Sequence, residues 1–307
     1  MRATIYKSTG SWYLAKADDG KFYNARMKGI FKIDEITSTN PLAVGDEVEI
    51  EPEADEGNAM IAFLPERRNY IARTSPHQHR ERHIVASNLD QALLFATLKE
   101  PRTSQGFIDR FLVACEAYHV PAIIVFNKAD IYRNKELELF ETFRNIYSAI
   151  GYTVLLCSMK SGENIQALAN LLTNKTTLLF GHSGVGKSTF INSIFPEKDL
   201  KTQDVSGWSG KGKHTTTFAE MFDLPFGGKI IDTPGIREFG ITDISKQELS
   251  HYFPEMRNAL ANCQFNNCIH INEPGCAVKE EVEKGNISEE RYRSYCNILD
   301  TIEEIRY

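Results

Sequence analysis

The chain has 307 residues, 42% of them hydrophobic and 25% charged, with a net charge of -6. That length suits two or three domains with buried cores, no apolar run approaches the roughly 18 residues of a membrane span, and the opening MRATIYKSTGSWYLAK has no apolar signal segment. The acidic balance excludes a simple polyanion binder, so any RNA contact must come from local basic patches, and six cysteines are too few for a secreted disulfide framework, which points to a reducing cytoplasm.

Residues 1–68 read as a small barrel. KFYNARM, GIFKI and DEVEIE carry β-branched and aromatic residues in partial alternation, broken by Gly20, Gly29 and the turn NPLAVGD. A closed OB-type barrel fits best. The stretch ERRNYIARTSPHQHRERH (66–83) is a polar connector with five arginines and three histidines. It reads either as a phosphate-contacting strip or as a solvated linker.

Residues 69–240 alternate between strand and helix. ALLFAT is a buried strand and 107–119 has helical apolar spacing. PAIIVF is a strand that ends in Asn127-Lys128-Ala129-Asp130. The segment 134–151 places Leu137, Phe140, Phe143, Tyr147 and Ile150 on one helical stripe, with Gly151 as C-cap. YTVLLCS, NIQALANLL and TTLLF continue as strand, helix and strand. This order predicts an α/β fold with a mostly parallel sheet, whose ligands lie beyond the carboxyl ends of the strands. Cys115 and Cys157 fall inside these elements as core residues.

The chemistry sits at those strand ends. Gly181-His182-Ser183-Gly184-Val185-Gly186-Lys187-Ser188 follows TTLLF and matches G-x-x-x-x-G-K-S. Its glycines let backbone N–H groups converge on phosphate oxygens, Lys187 reaches the outer phosphates and Ser188 binds Mg²⁺. The helix opened by Ser188 and Thr189 points its positive end at the same phosphates. In Asn127-Lys128-Ala129-Asp130, the aspartate can accept from N1–H and the 2-amino group of guanine, a pair of donors adenine lacks. The Lys128 stem would cover the base, and Asn127 would tie this loop to the phosphate loop. Ser158-Met159-Lys160 follows the next strand and suits a backbone N–H donor to guanine O6, or an ordinary turn. Asp232 and Gly235, in DTPG after an apolar strand, suit water-mediated Mg²⁺ contact and γ-phosphate sensing. Between them, SGWSGKGKHTTTF (206–218) reads as a switch segment in which Thr215, Thr216 or Thr217 completes the Mg²⁺ shell. We favour Thr216. A flexible surface loop is the alternative reading.

Residues 241–307 turn polar and helical. They contain Cys263-x4-Cys268-x-His270-x5-Cys276, three thiols and one imidazole that would close a tetrahedral structural zinc site. Free cysteines are the other reading. Cys296 falls on the last helix, SEERYRSYCNILDTIEEIR, as a packed residue.

Base-reading motifs precede the phosphate loop here, a circular permutation of the usual GTPase order. The order NKAD, SMK, GHSGVGKS, HTTT and DTPG, between a barrel and a cysteine cluster, resembles the RsgA family, also called YjeQ or YloQ, over nearly the whole chain. The resemblance implies an OB-fold, a permuted GTPase domain and a zinc-binding domain. It also implies a monomeric Mg²⁺- and Zn²⁺-containing protein that binds GTP and GDP, meets the 30S subunit and its 16S rRNA, touches no membrane, and acts late in subunit maturation. It further implies hydrolysis stimulated by the small subunit. Ile236 stands where many GTPases carry a water-orienting glutamine, so unassisted hydrolysis should be slow, and His214 is the candidate to position water, with an exposed loop histidine as the alternative. Gly184 replaces the asparagine that binds potassium in some related GTPases, so no such potassium site is expected. A GTP-gated RNA scaffold, or an ATP-dependent enzyme with an accidental NKAD, are the competing functions.

Overall fold

The structure is a computed structural model and describes residues 1–27, 41–74, 82–195, 219–233 and 244–302. Five short strands build the N-terminal part: β1 (Arg2–Ser8), β2 (Tyr13–Ala17), β3 (Phe22–Met27), β4 (Glu47–Pro52) and β5 (Asn58–Phe63). They close as β1-β2-β3-β5-β4 and back to β1, with β3 and β5 parallel and the other pairs antiparallel. Strict alternation drives this. In β4 Val48 and Ile50 point inward while Glu47, Glu49 and Glu51 face out. Small inward residues such as Ala15, Ala25 and Ala59 let so narrow a barrel close. The predicted strand GIFKI lies outside the described residues.

Part of the connector is built into the fold. Tyr70–Thr74 (β6) and Arg82–Ser87 (β7) form an antiparallel hairpin in which Ile71 is fully buried. Arg67 is turned inward onto Asp46, with Nε to Oδ1 at 2.6 Å and Nη2 to Oδ2 at 2.7 Å. Ser87 Oγ also donates to Asp46 Oδ1, at 2.6 Å. One arginine of the run, Arg67, thus supplies the counter-charge for a buried aspartate at the barrel's joint.

The α/β part follows: β8 (Gln91–Ala96), α1 (Gln105–Ala117), β9 (Ala122–Phe126), α2 (Asn134–Ala149), β10 (Thr153–Leu156), α3 (Ile165–Leu172), β11 (Thr176–Phe180), α4 (Lys187–Ile194), β12 (Glu220–Asp223) and β13 (Lys229–Asp232). The order is β10-β9-β8-β11-β13-β12, parallel except for β12. Strands such as β8, apolar after Gln91, are buried on both faces, and helices cover each side. Cys115 and Cys157 are core residues, one on each side of the sheet. The α2 stripe buries Phe140, Phe143 and Tyr147, and Gly151 follows the helix at φ +96°. Leu137 is 40% exposed, because it sits in the first turn, ahead of the packed stripe.

Strand pairing does not stop at the barrel. Lys7 in β1 pairs with Glu220 in β12, so barrel and α/β sheet form one eleven-stranded sheet. Tyr6 Oη donates to Asp223 Oδ1 and Lys16 Nζ to Asp223 Oδ2, each at 2.6 Å. Burial together with that bond pushes the Tyr6 phenol up.

The C-terminal part contains α5 (Pro254–Arg257), α6 (Ala277–Glu283) and α7 (Glu289–Thr301). Ser288 caps α7 through Oγ, and Glu289 and Glu290 suit its positive end. Phe253, Met256 and Tyr295 form its core, which also takes in Val113 of α1, and Cys296 packs against it partly buried. No helix among the described residues is long and apolar enough to cross a membrane.

Candidate functional site

Three loops meet beyond the carboxyl ends of β11, β9 and β10. The first runs from Gly181 to Gly186 and leads into α4. Gly181 has φ +143°, and a Cβ there would lie 2.4 Å from Phe95 O. Gly186 has φ +103°, and its Cβ would lie 2.1 Å from Asn127 Nδ2. Phe95 backbone at the first position and the Asn127 amide at the second fill the space a side chain would need, and the curled loop is available only to glycine there. Lys187 Nζ donates to Gly181 O at 2.5 Å and His182 O at 3.0 Å. Burial holds the Lys187 ammonium below its ordinary pKa, with Asp232 acting in the opposite sense. Asp232, at the end of β13, is pushed up by burial and pulled back by Lys187. The two charges thus face each other across the loop.

The second loop is the one after β9. Asn127 is buried and donates from Nδ2 to Val185 O at 2.8 Å. Its Oδ1 accepts from Met159 N of the third loop at 3.1 Å. One amide therefore bonds all three segments, using both its donor and its acceptor. Ser158 Oγ donates to Asp130 Oδ1 at 2.6 Å and accepts from Ser161 N at 3.1 Å, which fixes the direction of the carboxylate. Lys128 takes a left-handed backbone (φ 68°) and its Nζ donates to Glu100 O. Lys160, Ser183, Ser188 and Thr189 lie on the same three segments.

A fourth segment, Thr97–Thr103, escaped sequence reasoning. Thr103 N donates to Thr97 O at 2.7 Å and Thr97 N to Thr103 Oγ1 at 3.0 Å, so the loop folds on itself. Tyr132 Oη bridges it to the base loop, accepting from Leu98 N at 2.8 Å and donating to Asn127 O at 2.6 Å. Its only sequence signal was position, since it follows a central buried strand. Gly235, Thr215, Thr216, Thr217, His214, Lys211, Lys213 and Ile236 lie outside the described residues.

Exchanging Gly186 for alanine should therefore push Asn127 off Val185 and loosen all three loops. We expect GTP affinity to fall about tenfold or more, by loss of a buried hydrogen bond and the strain of a left-handed alanine. Titration of fluorescent GTP checks it, and unchanged affinity would contradict the contact's importance.

Cys263, Cys268, His270 and Cys276 converge with their ligand atoms all within 4.8 Å of one another. His270 Nδ1 lies 3.3 Å from Cys276 Sγ and 3.7 Å from Cys263 Sγ. The turn is held open by Glu273, whose carboxylate accepts from the backbone N–H groups of Ile269, Ile271 and Asn272. Tyr292 Oη donates to His270 O at 2.6 Å and Tyr295 Oη to Ile269 O at 2.8 Å. Burial keeps His270 neutral by lowering its pKa and pushes the Cys268 thiol up to about 12. Three sulfurs and one imidazole nitrogen this close together are a tetrahedral donor set, and the set could hold a metal ion.

A model of the RsgA GTPase family matches residues 64–242, and one of the RsgA N-terminal domain matches residues 3–61. The chain is similar to the small ribosomal subunit biogenesis GTPase RsgA of Christiangramia forsetii, at 48% identity over 306 residues, 99% of this chain and 97% of that one. Among solved structures it is similar to YjeQ from Thermotoga maritima, with TM-score 0.80 and 32% identity over 99% of each chain. It is also similar to YloQ, described as a circularly permuted GTPase, with TM-score 0.75 and 30% identity over 100% of this chain and 96% of that one.

Proposed function

The chain belongs to the RsgA family and is a GTP-hydrolysing enzyme of small ribosomal subunit maturation, and from that premise we propose that it binds late 30S particles, is stimulated by them, and leaves when GTP is spent. The observation that carries the nucleotide part is the Asn127–Val185 bond. It ties the base loop to the phosphate loop, which supports reading the two as one nucleotide site. In this reading Asp130 takes the guanine edge, Met159 N faces O6, and the loop from Gly181 to Ser188 cradles the phosphates, with Lys187 moving from its carbonyl contacts onto phosphate oxygen.

A hydroxyl at Ser188 and a carboxylate at Asp232 are hard oxygen donors, the set Mg²⁺ prefers, and Thr216 would add a third. Bound Mg²⁺ would neutralise charge on the phosphates. The Cys263, Cys268, His270 and Cys276 set, three soft sulfurs and a neutral imidazole, suits one structural zinc ion with no open position.

The working division is a barrel over 1–68, a GTPase unit over 69–240 and a zinc-binding part over 241–307, acting as a cytoplasmic monomer. Contact with 16S rRNA is assigned to the basic connector and the barrel, helped by Lys211 and Lys213, with Arg67 withdrawn from it by its bond to Asp46. Ile236 offers no hydrogen bond to water, so His214 is assigned that task when the subunit is bound. Turnover with purified 30S subunits tests this. His214→Ala should lower stimulated turnover by about 10²-fold or more with GTP binding unchanged. An unchanged rate removes the histidine from the mechanism, and subunits that bind without raising turnover would favour a scaffold.

A further inference from the structure

Helix α1 carries contacts that none of the nucleotide motifs explains. The Phe107 ring lies on the His182 imidazole, with centroids 3.7 Å apart and planes at 27°. Phe107 and Phe111 also stack on Phe180, at 5.5 and 5.4 Å. Phe180 ends β11 and His182 is the second residue of the phosphate loop, so α1 grips that loop on both sides of Gly181. His182 O is also an acceptor for Lys187 Nζ. A shift of His182 would move the carbonyl that helps hold the lysine.

The other face of α1 is embedded in the C-terminal part. Asp109, fully buried, meets Arg291 Nη1 at 2.6 Å, and Arg291 is gripped by Glu255 through Nε at 2.7 Å and Nη2 at 3.1 Å. Tyr147 Oη donates to the same Asp109 oxygen at 2.8 Å. Arg110 Nη2 donates to Thr301 Oγ1 and Arg257 Nη1 to Glu116 Oε2, each at 3.1 Å. Separating Asp109 from Arg291 would leave uncompensated charge in the interior, so the two move together or not at all.

We infer that Phe107 is a positioning residue for the phosphate loop, and that α1 is the rigid piece through which the C-terminal part sets how tightly that loop holds a nucleotide. The inference depends on the loop being the nucleotide site. Coupling of this kind is reciprocal, so nucleotide in the loop also biases the surface presented by the C-terminal part.

The test measures dissociation of N-methylanthraniloyl-GDP from the full-length protein. Phe107→Leu keeps apolar bulk but removes the ring stack, and should speed dissociation up to about tenfold, the scale of one aromatic contact, with little change in melting temperature. Glu255→Gln loosens Arg291 from the far side and should speed it about threefold, the usual scale of such coupling. In the double variant, dissociation should be no faster than in Phe107→Leu alone. Should Glu255→Gln unfold the C-terminal part, Thr301→Val, which removes the acceptor of Arg110 together with the bond from Thr301 Oγ1 to Ile298 O, carries the same expectation. An unchanged rate in the far-side variants, or effects that multiply, would overturn the coupling. A wild-type protein unable to bind the labelled GDP would overturn the nucleotide reading and this inference with it.

Discussion

Asp130→Asn is expected to weaken GTP binding by about 10⁴-fold, the penalty for mismatching a site built to hydrogen-bond its substrate. The carboxylate can accept from both N1–H and the 2-amino group of guanine. An amide in its place accepts from one and confronts the other with its own N–H. Ser158 Oγ can still donate to the side-chain oxygen at 130, as it does now at 2.6 Å, so the group should keep its direction. The same variant should therefore bind xanthosine triphosphate better than wild type, because xanthine carries an oxygen where guanine carries the 2-amino group. Competition titrations with GTP, XTP and ATP read this directly. If GTP binds the variant as before, Asp130 does not face the base and the guanine assignment fails.

The second large effect concerns the metal. Stripping metal with a chelator, or replacing Cys276 with serine, should unfold the C-terminal part, since a structural zinc set contributes roughly 10 kcal/mol or more. Cys268, His270 and Cys276 are buried, and without a cation their packing has little to hold it. Loss of helical dichroism from α6 and α7 and new protease sensitivity between Cys263 and Thr301 would accompany release of about one zinc per chain. A protein that melts unchanged after complete metal removal would show the cluster to be merely packed cysteines.

Much of the molecule was readable from residue pattern. The alternation in KFYNARM and DEVEIE yields barrel strands, and the apolar runs ALLFAT, PAIIVF and TTLLF yield the buried parallel strands. Both follow from local periodicity against water. Asn127 was assigned to tie base loop to phosphate loop from motif chemistry, and its amide does reach Val185. The Thr97–Thr103 loop was not readable, since its placement comes from contacts with Tyr132 and Lys128, both distant in sequence. The inward turn of Arg67 was not readable for a related reason. Arg67 carries the same charge whether it faces water or Asp46, and only the burial of Asp46 distinguishes the two.

What the sequence determined by itself is therefore the local alphabet: which segments alternate, where glycine is needed, and which groups can bind phosphate, guanine or zinc. Tertiary structure alone decided that β1 would extend the sheet through β12. It alone decided that α1 would serve two cores, and that Arg291 would be buried between carboxylates. The physical reason is that a hydrogen-bonding edge or a charge is recorded in the chain without its partner, and the partner is chosen only when distant segments compete to exclude water.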